Sequence, residues 1–132
     1  MRYYPVFLDI KGRQCLVIGG GAVALRKIEG LLSAGAEVTV VSPTASKAVK
    51  GLADKGSIEL IKRKYQEGDL IGVFLAVSAS NDRAVNASVY NEAQKRGVLI
   101  NTVDDPERCS FIVPSIVDRD PLLSSARSGI SC

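Results

Sequence analysis

The sequence predicts an α/β fold: a parallel sheet with helices wound on both faces. Three observations predict it. Apolar runs of strand length alternate with amphipathic segments of helix length along most of the chain. The strands are nearly continuous in hydrophobicity rather than alternating, as strands buried on both faces are. The first of them empties into three glycines and then a helix, in "CLVIGGGAVALRK".

The elements follow in order. "QCLVIGG" is the first strand. Val23, Ala24, Ile28, Leu31 and Leu32 recur at helical spacing, with Arg26, Lys27 and Glu29 outside the stripe, and Gly35 in "SAGA" suits the helix end. "EVTVVSP" is a second strand, stopped by Pro43. A helix is expected from Ala45 to Asp54, then a third strand in "IELIKR". "YQEGDLIG" reads as a turn or short helix, and "VFLAVSA" as a fourth strand. Asn81 or Asp82 can cap a helix running to Arg96, with Val85, Val89 and Ala93 inside; Gly97 closes it and "VLIN" is the fifth strand. This succession implies right-handed crossovers and the Rossmann strand order 3-2-1-4-5 over residues 1–105. From Pro106 the texture changes. "CSFIVPSIVDRDPLLSSA" holds two short apolar segments around the turn signal "DRDP". Residues 106–132 are therefore expected to begin a hairpin-like second unit, covered by another copy of the chain.

Composition narrows the chemistry. Of 132 residues, 46% are hydrophobic and 23% charged, the balance of a globular domain. No apolar run nears the roughly 20 residues of a membrane span, and the start lacks a signal-peptide pattern, so no membrane is expected and the cytoplasm is. The net charge of +3 is too mild to argue for nucleic acid but suits a small anionic ligand. The three cysteines, Cys15, Cys109 and Cys132, form no C-x-x-C pair, and there is no histidine. No metal site is expected, and acid–base work falls to Asp, Glu, Lys, Tyr or Cys.

Gly19, Gly21 and Ala24 make the pattern G-x-G-x-x-A. The first small residue permits the turn, the second lets a pyrophosphate approach the backbone, and the third lets the helix lie close on the strand. Free N–H groups and the helix dipole favour an anion there. Dinucleotide binding is the reading; a merely tight turn is the alternative. The second strand ends in Ser42, Pro43 and Thr44 rather than in Asp or Glu. Its ribose contacts would be neutral, which leaves NAD and NADP both open. Arg26 and Lys27 oppose the dipole at a helix start, so they form either a solvated face or a seat for an anionic ligand.

"YYPVFLDIKGRQCLVIGGGAVALRK", "VTVVSP", "GDLIGVFLAVSASNDRAVN" and "GVLINTVDDPERCSFIVPS" together resemble the precorrin-2 dehydrogenase/sirohydrochlorin ferrochelatase family, the unit found at the N-terminus of siroheme synthase. The resemblance implies oxidation of the tetrapyrrole precorrin-2 to sirohydrochlorin with NAD as hydride acceptor. In some members it implies insertion of ferrous iron, as a substrate, to give siroheme, and it implies an intertwined homodimer. By matching motif, Gly19, Gly20, Gly21, Ala22, Val23 and Ala24 would cradle the pyrophosphate, and Ser42, Pro43 and Thr44 would flank the adenosine. Ser78, Ala79 and Ser80 would border the nicotinamide half. Asp104 would be the essential general base, with Asp105 supporting it at most. Partial burial or the charge of Asp105 would lift the Asp104 carboxyl toward working range. Without the family, the alternative is that "DDP" simply forms a turn before Pro106. Arg26, Lys27, Arg108 and Arg119 are candidates, from charge alone, to meet the substrate's carboxylates.

The chain departs from the family after Leu123, where "SSARSGISC" replaces an apolar run ending in S/T-G-G and helices are expected to be missing. That raises a catalytically inactive dimer that only binds NAD as one alternative; the glycine turn and the dimer also suit a second, a nucleotide-sensing regulatory Rossmann module.

Overall fold

The computed structural model describes residues 2–113. Five parallel strands lie in the order β3-β2-β1-β4-β5, as the alternation predicts. They are β1 (Gln14–Ile18), β2 (Glu37–Val41), β3 (Ile58–Ile61), β4 (Leu75–Ser78) and β5 (Leu99–Thr102), connected in part by α1 (Ala22–Ser33), α2 (Lys47–Asp54) and α3 (Arg83–Arg96). Register is uniform: Ile18 lies opposite Val41 on one side and Ser78 on the other, and Ser78 opposite Thr102.

Side chains alternate between the two faces of this sheet. Cys15, Val17, Val38, Val40, Leu75 and Val77 pack with Ala24 and Ile28 of α1 and Val49 of α2. Leu16, Ile18, Val41, Ala76 and Ile100 pack with Val89 and Ala93 of α3. Val17, Val40 and Ile100 are fully buried, each contributing about 1.5–3 kcal/mol by leaving water. Cys15 is plain core, and burial pushes its thiol up to about 11.

Helix ends follow local chemistry. α2 begins two residues later than expected, because the Ser46 hydroxyl accepts from the Val49 amide (3.3 Å) and sets the cap there. Asp82, one of the two expected caps, accepts from the Ala84 amide at 2.9 Å. Gly97 ends α3 in the left-handed region (φ 68°) that a side chain disfavours. Val23 leaves the expected apolar stripe of α1 and is 37% exposed at the helix start.

The link from β3 to β4 is a series of turns with no helix. Leu70 fills the face a helix would cover, and α3 holds the link by one carboxylate. Glu92, 2% exposed, accepts from the Gly68 and Leu70 amides (3.0 and 3.3 Å), from Arg96 (2.6 Å) and from the Tyr65 hydroxyl.

After β5 the chain turns through a short 3-10 helix, Pro106–Arg108, and comes back to the sheet edge. The Ser110 amide donates to the Ile100 carbonyl and its hydroxyl accepts from the Ile100 amide, both at 2.8 Å. Asn101 donates to the Phe111 carbonyl at 3.1 Å. These bonds cover an edge that would otherwise offer free backbone groups. Of the unit expected over 106–132, only 106–113 are described; the rest of the expected hairpin and Arg119 lie outside the described residues.

Candidate functional site

A cleft of about 580 Å³ opens at the carboxyl edge of the sheet, where β1 and β4 diverge to helices on opposite faces. It is lined by 19–24, 42–46 and 79–82. The sequence-predicted glycine turn, adenosine segment and two of the three nicotinamide-side residues therefore meet in one place.

The three glycines differ in what they make room for. A Cβ on Gly19 would stand 2.6 Å from the Ala79 carbonyl oxygen, and φ there is +125°. A Cβ on Gly20 would stand 2.3 Å from the Thr44 carbonyl oxygen and 2.9 Å from the Ala45 Cα. Backbone packing excludes side chains at both. At Gly21 a Cβ would meet nothing within 4 Å. Protein packing does not explain the missing side chain at Gly21, and its open face leaves room beside the cleft for a ligand.

Gly21 is also the N-cap of α1, with no side-chain cap and no acidic residue in the first turn. The first intrahelical bond is Leu25 N–H to the Gly21 carbonyl, at 2.9 Å. The amides of Ala22, Val23 and Ala24 thus lack helical acceptors and stand at the positive end of the dipole. These donors fit the pyrophosphate of a dinucleotide.

The flanks refine the sequence reading. Ser42 is 5% exposed and donates its hydroxyl to the Thr44 carbonyl (2.6 Å), so it shapes the turn, while Pro43 and Thr44 are exposed. Ser78 is fully buried and does not line the cleft; its hydroxyl donates to Asn86 Oδ1 at 2.6 Å. The reason is register: Ser78 lies opposite Ile18, whose side chain points to the α3 face. Ala79 and Ser80 do reach the cleft.

Asp104 lies beyond this lining, in the turn after β5, two strands along the sheet from β1. It is exposed, which corrects the expected partial burial. It is the one non-glycine residue with positive φ (61°) among the described residues, a costly conformation for a side-chain-bearing residue. The charge of Asp105 is engaged elsewhere, in a 2.8 Å ion pair with Arg108. That pair also occupies one end of a predicted substrate-binding cation.

Arg26 is exposed on α1. Lys27 is half-buried and close enough to Cys109 to pull its thiol down, though burial prevails and raises it. The Cys109 Sγ accepts from the Thr102 amide (3.1 Å) and so fixes the end of β5. Among the described residues no group of three His, Cys, Asp or Glu is placed to hold a metal, and no helix is long and apolar enough to cross a membrane.

Sequence reasoning missed Asn86 and Glu92. Both fall on the inward stripe of α3 with Val89 and Ala93, and a polar residue on such a stripe was the available signal.

A family described as "Putative NAD(P)-binding" matches residues 6–115. The siroheme synthase of Photobacterium profundum is 45% identical over 97% of this chain, which covers 27% of that protein. Siroheme synthase 1 of Serratia proteamaculans is 47% identical over 97% of the chain and likewise covered to 27%. The chain thus spans about a quarter of these relatives' length. The solved structure of SirC, precorrin-2 dehydrogenase, superimposes with a TM-score of 0.76 at 34% identity, over 96% of this chain and 68% of that one. Sequence, strand order and cleft agree: this chain belongs to the NAD(P)-binding family that includes the precorrin-2 dehydrogenase SirC and the matching portion of the siroheme synthases.

Proposed function

We propose that this chain is the coenzyme-binding and catalytic unit of an NAD-dependent precorrin-2 dehydrogenase that yields sirohydrochlorin. The observation that carries the reading is the open face of Gly21 above three amides with no helical acceptor, in a chain 34% identical to SirC.

The amides of Ala22, Val23 and Ala24 hold the pyrophosphate, Ser42, Pro43 and Thr44 flank the adenosine, and Ala79 and Ser80 border the nicotinamide half. NAD, when bound, supplies a hydride acceptor. Asp104 takes the proton that leaves the tetrapyrrole as the hydride departs, so the substrate loses two hydrogens in all. Asp104 sits in the turn just past the carboxyl end of β5, and its exposure lets a large substrate reach it. Arg26, Lys27 and Arg108 meet substrate carboxylates, a role that rests on their charge, with Arg108 sharing its guanidinium with Asp105. For ferrous iron insertion, iron enters as a substrate and Asp104 is again the proton acceptor. The chain works as a cytoplasmic homodimer, with the region from residue 106 onward as its pairing segment.

The test is an absorbance assay of sirohydrochlorin formation from precorrin-2 and NAD. Asp104→Ala is expected to abolish turnover with NADH binding retained; unchanged turnover removes Asp104 from the mechanism. Wild-type chain that binds NADH but forms no sirohydrochlorin favours the binding-module reading instead.

A further inference from the structure

The loop from β4 to α3 is held from behind by one side chain. Asn86, in the first turn of α3, accepts from the Ser78 hydroxyl through Oδ1 (2.6 Å) and donates through Nδ2 to the Ser80 carbonyl (2.9 Å). A carbonyl can only accept, so the Ser80 contact fixes which end of the amide is the NH2. Ser78 is fully buried and hydroxyl-bonded only through Asn86, whereas Ser80 lines the cleft. The loop continues the same wiring: the Ser80 hydroxyl accepts from the Asp82 amide at 3.0 Å, and Asp82 caps Ala84. On its front, the Ala79 amide donates to the Ile18 carbonyl (2.8 Å), and the Ala79 carbonyl presses on Gly19. Asn86 itself is not part of the cleft.

We propose that Asn86 is a positioning residue that sets Ala79 and Ser80 against the nicotinamide half of the coenzyme, an inference that rests on the coenzyme reading above. It ties the last residue of β4, which cannot move without the sheet, to the first cleft residue that can. It also turns the Ser80 carbonyl toward α3, keeping that dipole's negative end out of the cleft. The glycine turn and 42–44 are anchored independently, by Gly19 N–H to the Val41 carbonyl (3.0 Å) and Ser46 N–H to the Gly20 carbonyl (2.9 Å). The two halves meet where Ala79 packs on Gly19, but each keeps its own anchoring hydrogen bonds.

The experiment compares NADH with ADP-ribose, which lacks the nicotinamide, by titration against the full chain and Asn86→Ala. Loss of the two hydrogen bonds is expected to raise the Kd for NADH about tenfold and leave that for ADP-ribose within about twofold. A general loosening of α3 would weaken both ligands alike, and that result, or an unchanged NADH affinity, overturns the proposal. Ser78→Ala, which frees one end of the amide, is expected to move NADH in the same direction by less; it carries the comparison if Asn86→Ala does not fold. Failure of the wild-type chain to bind either ligand overturns the coenzyme reading and this inference with it, a result distinct from failure in the variants alone.

Discussion

Replacing Gly21 by alanine separates binding from folding. Its backbone (φ −93°, ψ −162°) is open to any residue, and the new methyl would meet nothing within 4 Å. Two opposed effects act on stability. Alanine restricts the unfolded chain, a gain of about 0.4–1 kcal/mol. Alanine is also a poorer N-cap than glycine, a loss of similar size. They nearly cancel, and the unfolding free energy is expected to stay within about 0.5 kcal/mol of wild type. Binding behaves differently, because the methyl sits where a pyrophosphate must approach the amides. Losing one or two charge-assisted hydrogen bonds, at about 1.5–3 kcal/mol each, weakens NADH by roughly 10- to 100-fold or more. Gly20→Ala is the counterpart. Its methyl would lie 2.3 Å from a backbone oxygen, so overpacking should cost about 1–3 kcal/mol of stability. Urea unfolding and fluorescence titration of NADH on both variants give the four numbers. Wild-type affinity in a folded Gly21→Ala chain would refute the assignment of that open face to a phosphate.

Two further outcomes are expected. Asp104→Gly relieves the left-handed strain and should raise stability by up to about 1 kcal/mol while stopping turnover; a fall in the urea midpoint would mean the carboxylate itself stabilises the turn. The chain should also lose stability in acid. At Glu92 burial favours the neutral form, but the bonds from Tyr65, Arg96 and two amides outweigh it and hold the carboxyl below its usual range. At Asp69 the bond from Arg63 does the same. Both groups bind more protons unfolded than folded, so their contribution is complete above about pH 4–5 and fades as pH falls through their folded values. Urea midpoints measured from pH 7 to pH 3 should fall, and Glu92→Gln should be less stable at pH 7 with a flatter acid limb. A variant that keeps the wild-type pH slope would show that Glu92 does not carry the dependence.

Hydrophobic pattern and turn residues were enough for the strand order, because continuous apolar runs have to be buried on both faces and short alternating links leave few ways to do it. The glycine turn was equally legible: Gly19 takes a positive φ that side-chain-bearing residues disfavour, and the pattern marks where a strand passes into a helix. Other features depended on neighbours distant in sequence. Ser78 reads as a site residue until the register with Ile18 turns it toward α3, and Asn86 and Glu92 look like surface polar residues until the helix packs. Nothing in "GGG" says that two of its members are required by the chain's own backbone and one is not.

The sequence alone determined which segments are strands and helices, where the glycine turn lies, and which aspartate follows the fifth strand. Only the tertiary structure decided which hydroxyls face the cleft, which are spent holding it, and that Asp104 stands exposed in a strained turn. Periodicity and turn chemistry are local properties written in neighbouring residues; side-chain orientation and accessibility arise from contacts between segments that meet only when the sheet has formed.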